Sequence, residues 1–269
     1  MIWVGLMYKR KEVIGNCVLY HADCLELMPT LGKVDAVITD VPYGTTSCSW
    51  DTAIPFFDMW NCINSIVNDN GAVALFGAEP FSSHLRISNL DNYKYDWTWV
   101  KSRATSFHNS KNAPLKATEN ISVFSNGSIA NCHVNRMNYY PQGLISFKQE
   151  KRGTRKSSKS LKSHKFERPS NKEFYISEYT NYPNNVLKFK SETDIQHPTQ
   201  KPIALMEYLI KTYTNTRQTV LDFTCGSGST LVACAKTGRH GIGIELDQEY
   251  FDIACRRVED AYRQGDLFI

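Results

Sequence analysis

Short apolar runs alternate along the chain with stretches whose apolar residues recur every three or four positions. Val18–Tyr20 and Ala36–Thr39 have the length and content of buried strands, and Asp23–Leu31 between them suits a short helix. Phe56, Met59, Trp60, Ile63, Ile66 and Val67 fall at helical spacing and predict a helix over Phe56–Val67 that stops at Asn70-Gly71. Ala72–Phe76 reads as a strand, Pro80–Leu90 as a helix, and Trp97–Lys101 and Ile121–Phe124 as strands.

From Gly127 to Gln196 the periodicity fades into Asn, Ser, Lys and Tyr. Order returns with a helix at Ile203–Thr212, a strand at Thr219–Asp222, a helix at Ser229–Thr237 closed by Gly238, a strand at Gly241–Ile244 leading into Glu245, and an amphipathic helix at Gln248–Tyr262. Strands alternating with helices predict an α/β fold with a doubly wound, mostly parallel sheet. The expected organisation is one body built from residues 1–126 and 197–269, with 127–196 as an irregular insertion. No internal repeat is visible.

The length of 269 residues and the 42% hydrophobic and 22% charged fractions are those of a soluble globular chain. No run of eighteen apolar residues exists, so no membrane partner is expected. Met1–Lys11 lacks a basic start and a small-residue cleavage site, which reads as a protein kept in a reducing cytoplasm. The eight cysteines never form a C-x-x-C pair, and no histidine pair has zinc-finger spacing; reduced thiols and no metal are expected. The net charge of +4 is uneven: Lys148 to Lys172 holds ten Lys/Arg against two Glu. Such a stretch is either a solvated loop or a place where a polyanion is touched.

Two turns carry candidate chemistry. Val220 to Thr230 runs strand, glycine-rich turn, helix, with Gly226-Ser227-Gly228 at the turn, where the backbone approaches a ligand closely. Glu245, seventeen residues after Gly228, stands at the end of the next strand, where a carboxylate can accept both hydroxyls of a ribose. The missing third glycine disfavours a dinucleotide and leaves adenosine ligands without a pyrophosphate, chief among them S-adenosyl-L-methionine. The second turn, Asp40-Val41-Pro42-Tyr43, follows a buried strand and so stands at the carboxyl edge of the sheet. Either it is an ordinary proline-containing turn, or Asp40 and a backbone carbonyl accept the two N–H groups of a base amine while Tyr43 stacks on the ring.

These segments, taken in order, resemble the amino-group DNA methyltransferases of bacteria and their phages, in particular adenine methylases with a D-P-P-Y motif. Ala22-Asp23-Cys24-Leu25 is similar to a G-D-C-L segment that contacts the cofactor adenine, which implies a cofactor role for Asp23 and Cys24. Asp40-Val41-Pro42-Tyr43-Gly44 is similar to D-P-P-Y-G, and Asp222, Thr224, Gly226 and Gly228 fall in the cofactor loop. Gly241 to Glu245 with Tyr250 matches the G-I-E segment. His197-Pro198-Thr199-Gln200-Lys201-Pro202 resembles the segment that closes over the methionine end, which implies His197, Thr199 and Lys201. With the catalytic motif first and the cofactor loop last, the order is the permuted β class. The resemblance implies a Rossmann-like methyltransferase fold, a target-recognition role for 127–196, and phosphate contacts from Lys148, Lys151, Arg152, Arg155, Lys156, Lys159, Lys162 and Lys165.

The expected reaction is direct methylation of adenine N6 in DNA after base flipping, as in restriction-modification enzymes. N4-cytosine methylation and a catalytically idle DNA-binding relative or partner subunit are the alternatives. A monomer or homodimer suits either. Two positions depart from the pattern: Val41 stands for a common Pro, and Thr224 for a common aromatic, with Phe223 one place earlier. Tyr139, Tyr140, Phe147, Phe166, Phe174 and Tyr175 surround the basic stretch, either as stacking rings or as a small core.

Overall fold

Strands with apolar side chains on both faces need cover on both faces, and that requirement sets the architecture. The computed structural model describes residues 7–44, 53–131, 133–152, 174–192 and 200–266. The elements are β1 (Arg10–Ile14), β2 (Cys17–His21), α1 (Cys24–Leu27), β3 (Val34–Thr39), α2 (Phe56–Ile66), β4 (Val67–Gly77), α3 (Phe81–Ser88), β5 (Tyr93–Thr105), β6 (Lys116–Phe124), β7 (Ile145–Arg152), β8 (Phe174–Thr180), β9 (Val186–Lys188), α4 (Ile203–Tyr213), β10 (Thr219–Asp222), α5 (Ser229–Thr237), β11 (His240–Glu245) and α6 (Gln248–Asp266).

The main sheet runs β1-β2-β11-β10-β3-β4-β6-β5-β9. Its centre, from β2 through β4, is parallel, while β1 and β6 are antiparallel to their neighbours. Alternation along β4 shows how the layers form. Ala72, Ala74 and Phe76 face a core shared with Leu209 of α4, Leu231 of α5 and Phe251 of α6. Val73 and Leu75 face the opposite core, with Leu27 of α1, Ile63 of α2 and Leu85 of α3. This is the doubly wound, mostly parallel α/β fold expected from the sequence.

Several boundaries differ from the sequence reading, each for a local reason. Asn70-Gly71 does not end α2: the helix stops at Ile66 and the next residue opens β4. Val67 pairs with Val34 and Ala72 with Ala36, so Asn68–Gly71 are absorbed in a bulge. The far ends of β5 and β6 were missed because their outer residues are exposed and polar, so pairing leaves no apolar alternation. The polar edge strand β1 escaped for the same reason.

The stretch expected to be irregular contains β7 and β8, which form a separate antiparallel pair. It also contributes to the body: β9 pairs with β5, and Met137 is buried in the core beside α4. Cys17, Cys62, Cys225, Cys234 and Cys255 are buried free thiols, and Cys24 is half-buried. Cys48 and Cys132 lie outside the described residues. No described helix is long and apolar enough to cross a membrane.

Candidate active site

In a parallel sheet the carboxyl ends of neighbouring strands share one edge. Here β3, β10 and β11 end there, on Thr39, Asp222 and Glu245. A cavity of about 350 Å³ opens at that edge. It brings together Asp23, Cys24, Asp40, Val41, Pro42, Tyr43, Lys201, Asp222, Thr224, Gly226 and Glu245, along with Gln200, Leu246 and Tyr250.

The glycine loop is shaped by backbone geometry. Gly226 and Gly228 have φ of +51° and +79°, which L side chains rarely adopt. Gly228 caps α5, and a Cβ there would lie 2.9 Å from the Ala254 Cβ of α6. From α6, Arg257 donates to the Ser227 carbonyl at 2.5 Å and to Ser227 Oγ at 2.8 Å, which pins the turn. Glu245 reaches the same loop: Gly226 N donates to Oε2 at 2.7 Å, and Asp247 N donates to Oε1 at 2.9 Å. Burial raises its proton affinity, and these backbone donors oppose the shift.

Asp222 turns inward. Thr39 Oγ1 donates to Oδ1 at 2.6 Å, Thr224 N to Oδ1 at 3.3 Å, and Thr230 Oγ1 to Oδ2 at 2.5 Å. Burial lifts its pKa to about 6 against the pull of the two hydroxyls. Asp222 therefore braces the loop from below. Thr224 links this brace to the second turn, because its hydroxyl lies 2.7 Å from Thr39 Oγ1 and 3.1 Å from the Asp40 carbonyl. Thr39 spends its proton on Asp222, so the Thr224 proton serves the other two oxygens, the nearer first. Phe223 is 1% exposed and belongs to the core.

Asp40 follows β3. Tyr43 Oη donates to its Oδ1 at 2.5 Å, and Lys201 Nζ donates to its Oδ2. Burial raises the Asp40 pKa; Lys201 pulls it down and Glu119 pushes it up. Burial alone would lower the Lys201 pKa, but Asp40 and Glu119 outweigh it and the net shift is upward. The Tyr43 ring packs against Phe81 with centroids 4.8 Å apart. Val41, 3% exposed, fills the core on the α1–α3 face, which is a packing use for the residue that replaces proline. Asp23 caps α1 through Leu25 N at 2.8 Å.

Sequence reading did not single out Thr39, Phe81, Glu119 or Arg257. The fold alone brings Phe81, Glu119 and Arg257 here, and Thr39, directly before Asp40, carries no motif signal of its own. Lys148 lies on β7, at φ +37°, and is not among the residues lining the cavity. Lys151 and Arg152 are also on β7. His197, Thr199, Arg155, Lys156, Lys159, Lys162 and Lys165 lie outside the described residues.

A family model described as DNA methylase, for N6 and N4 methyltransferases, matches residues 34–256. The type II methyltransferase M.HpaI of Haemophilus parainfluenzae is 25% identical over 245 residues, which are 87% of this chain and 71% of that protein. The putative methylase YubD of Escherichia coli is 40% identical over 84 residues, only 30% of this chain and 37% of that one. Among solved structures, the M1.HpyAVI–SAM complex aligns with TM-score 0.57 and 27% identity over 89% of this chain and 98% of that chain. The cytosine-N4-specific PvuII DNA methyltransferase shares the fold, with TM-score 0.66 and 16% identity over 96% and 95% of the two chains.

Proposed function

The chain belongs to the DNA methylase family of N6 and N4 methyltransferases, and on that premise we propose that it methylates the N6 amino group of adenine in DNA, using S-adenosylmethionine. The observation that carries this reading is that one cavity is lined by the carboxylate-bearing Asp40, a proline turn and Tyr43 together with the glycine loop and Glu245.

The residues present fit the cofactor. The free lone pairs of the Glu245 oxygens suit ribose hydroxyls, and the positive-φ loop from Gly226 to Gly228 allows close approach. S-adenosylmethionine supplies, when bound, a methyl group made electrophilic by the charge on sulfur. The protein prepares the acceptor. Asp40 and the Val41 carbonyl accept the two N–H groups of the amine, which draws the nitrogen lone pair out of conjugation with the ring. Tyr43, backed by Phe81, gives the flipped base a flat surface. Asp40, whose proton affinity burial raises, is the base nearest the extra proton of the methylated nitrogen. Catalysis is then positioning and electrostatics, with no covalent intermediate. An aspartate at the first motif position favours adenine, since serine is more frequent in the N4-cytosine group.

In this reading residues 127–196 recognise the target, and the basic run from Lys148 to Lys165 binds phosphates. The test is methyl transfer to unmethylated bacterial DNA, digested to nucleosides for mass spectrometry, with Asp40→Ala as control. N6-methyladenine from the wild type alone is expected. N4-methylcytosine would overturn the base assignment, and wild-type rates from Asp40→Ala would overturn the mechanism.

A further inference from the structure

Both oxygens of Asp40 are engaged, Oδ1 by Tyr43 and Oδ2 by Lys201. A base amine brought to Asp40 must share the carboxylate's lone pairs with these two donors, and the charged one weakens the carboxylate most as an acceptor. Tyr43 is held by its ring packing, whereas Lys201 has a second carboxylate within reach. Glu119 of β6 accepts from Lys101 Nζ at 3.1 Å through Oε1. Its Oε2 is buried without a hydrogen-bond partner and lies 3.5 Å from Lys201 Nζ. An ammonium carries three donors and no acceptor, so Lys201 can serve either carboxylate.

We propose that Lys201 is a positioning residue that holds Asp40 while no base is present and turns to Glu119 Oε2 when the amino group arrives. The inference rests on the reading of Asp40 given above. The move needs only a small rotation of the terminal group, because Nζ is already 3.5 Å from its second acceptor. Throughout, the cation stays over the ring of Phe76, 5.1 Å from its centroid. The cluster of Lys101, Lys201, Asp40 and Glu119 keeps a formal charge of zero in either arrangement. Withdrawal of the cation also makes Asp40 a better acceptor at the moment the amine needs one. Glu119 thus acts on the reaction through Lys201 without lining the cavity.

The experiment compares Lys201→Met, Glu119→Gln and the double variant with wild type for kcat, KM for DNA and Kd for S-adenosylmethionine. Glu119→Gln is expected to lower kcat by on the order of tenfold to a hundredfold, with Kd for the cofactor and KM for DNA within about twofold. The double variant is expected to be no slower than Lys201→Met, since the direct effect of Glu119 on Asp40 is smaller than that of Lys201. If Glu119→Gln does not fold, Glu119→Asp keeps the charge, withdraws the acceptor by one methylene, and carries the same expected loss. An unchanged kcat in either Glu119 variant, losses that multiply in the double variant, or a loss confined to cofactor Kd overturns the proposal. Wild type that makes no methylated base overturns the parent reading and this one with it. Product from wild type and none from Asp40→Ala, with an unaffected Glu119 variant, overturns this one alone.

Discussion

Thr39 Oγ1 donates to Asp222 Oδ1 at 2.6 Å, joining the ends of two neighbouring strands whose residues lie 183 positions apart in sequence. Both side chains are buried. Through Thr224 the same contact extends to the Asp40 carbonyl, so the glycine loop and the candidate base-binding turn are held in register by hydroxyl groups. Thr39→Val keeps the shape and removes the donor from a buried carboxylate. A destabilisation of about 1–3 kcal/mol is expected in urea unfolding, with weaker cofactor binding in titration calorimetry. A change below about 0.5 kcal/mol, within the range of an ordinary surface substitution, would mean the contact braces nothing.

Asp222 also fixes a pH dependence. Its native pKa, raised by burial to about 6, stands above the ordinary value of 3.8. The native state therefore holds this proton more tightly than the unfolded chain, and its contribution to stability is lost as pH rises from about 4 to about 6. Buried Asp40 and Glu245 are shifted in the same direction, so the comparison must be with a variant. Asp222→Asn has no proton to lose, and its stability relative to wild type should increase across that window. A difference that is flat with pH would show that Asp222 does not titrate there.

Two glycines with nearly the same backbone conformation should respond differently to alanine. At Gly238, φ is +69° and the nearest atom to a new Cβ is Thr216 Cγ2 at 3.4 Å, an ordinary contact. The cost there is the left-handed backbone alone, about 1–2 kcal/mol. Gly228, at φ +79°, adds the Ala254 Cβ at 2.9 Å and Cα at 3.2 Å. Gly228→Ala should lower the melting temperature further than Gly238→Ala and also weaken cofactor binding. Equal melting temperatures would mean that α6 shifts freely.

DNA affinity should fall steeply with salt if the basic run neutralises phosphates. Replacing Lys156, Lys159 and Lys162 together with glutamine should flatten the slope of log affinity against log salt by about 3, near one per lost contact. A slope equal to that of wild type would return the run to a solvated loop.

The sequence was most legible where local pattern and chemistry coincide. The strands at Ala36–Thr39 and Thr219–Asp222 are apolar on both faces, and each runs directly into a turn with its own signature, so fold and candidate site were visible together. Glu119 and Thr39 carried no such mark. Glu119 matters only because β6 lies next to β4 and the segment before α4 places Lys201 against it. A side chain whose partners come from distant strands has no local pattern to announce it. Asn70-Gly71 misled for the converse reason: a strong local stop signal was absorbed by a bulge that tertiary pairing imposed.

The strand order has a consequence for how the site is closed. β10 and β11, which follow β2 and β3 in the chain with most of the other elements in between, insert between those two strands, which are joined by residues 22–33. Without that pair, β2 and β3 would each keep an unpaired edge, and the Asp40 carbonyl would lack its Thr224 donor. The two turns that line the cavity therefore meet only because that closing pair of strands fills the gap.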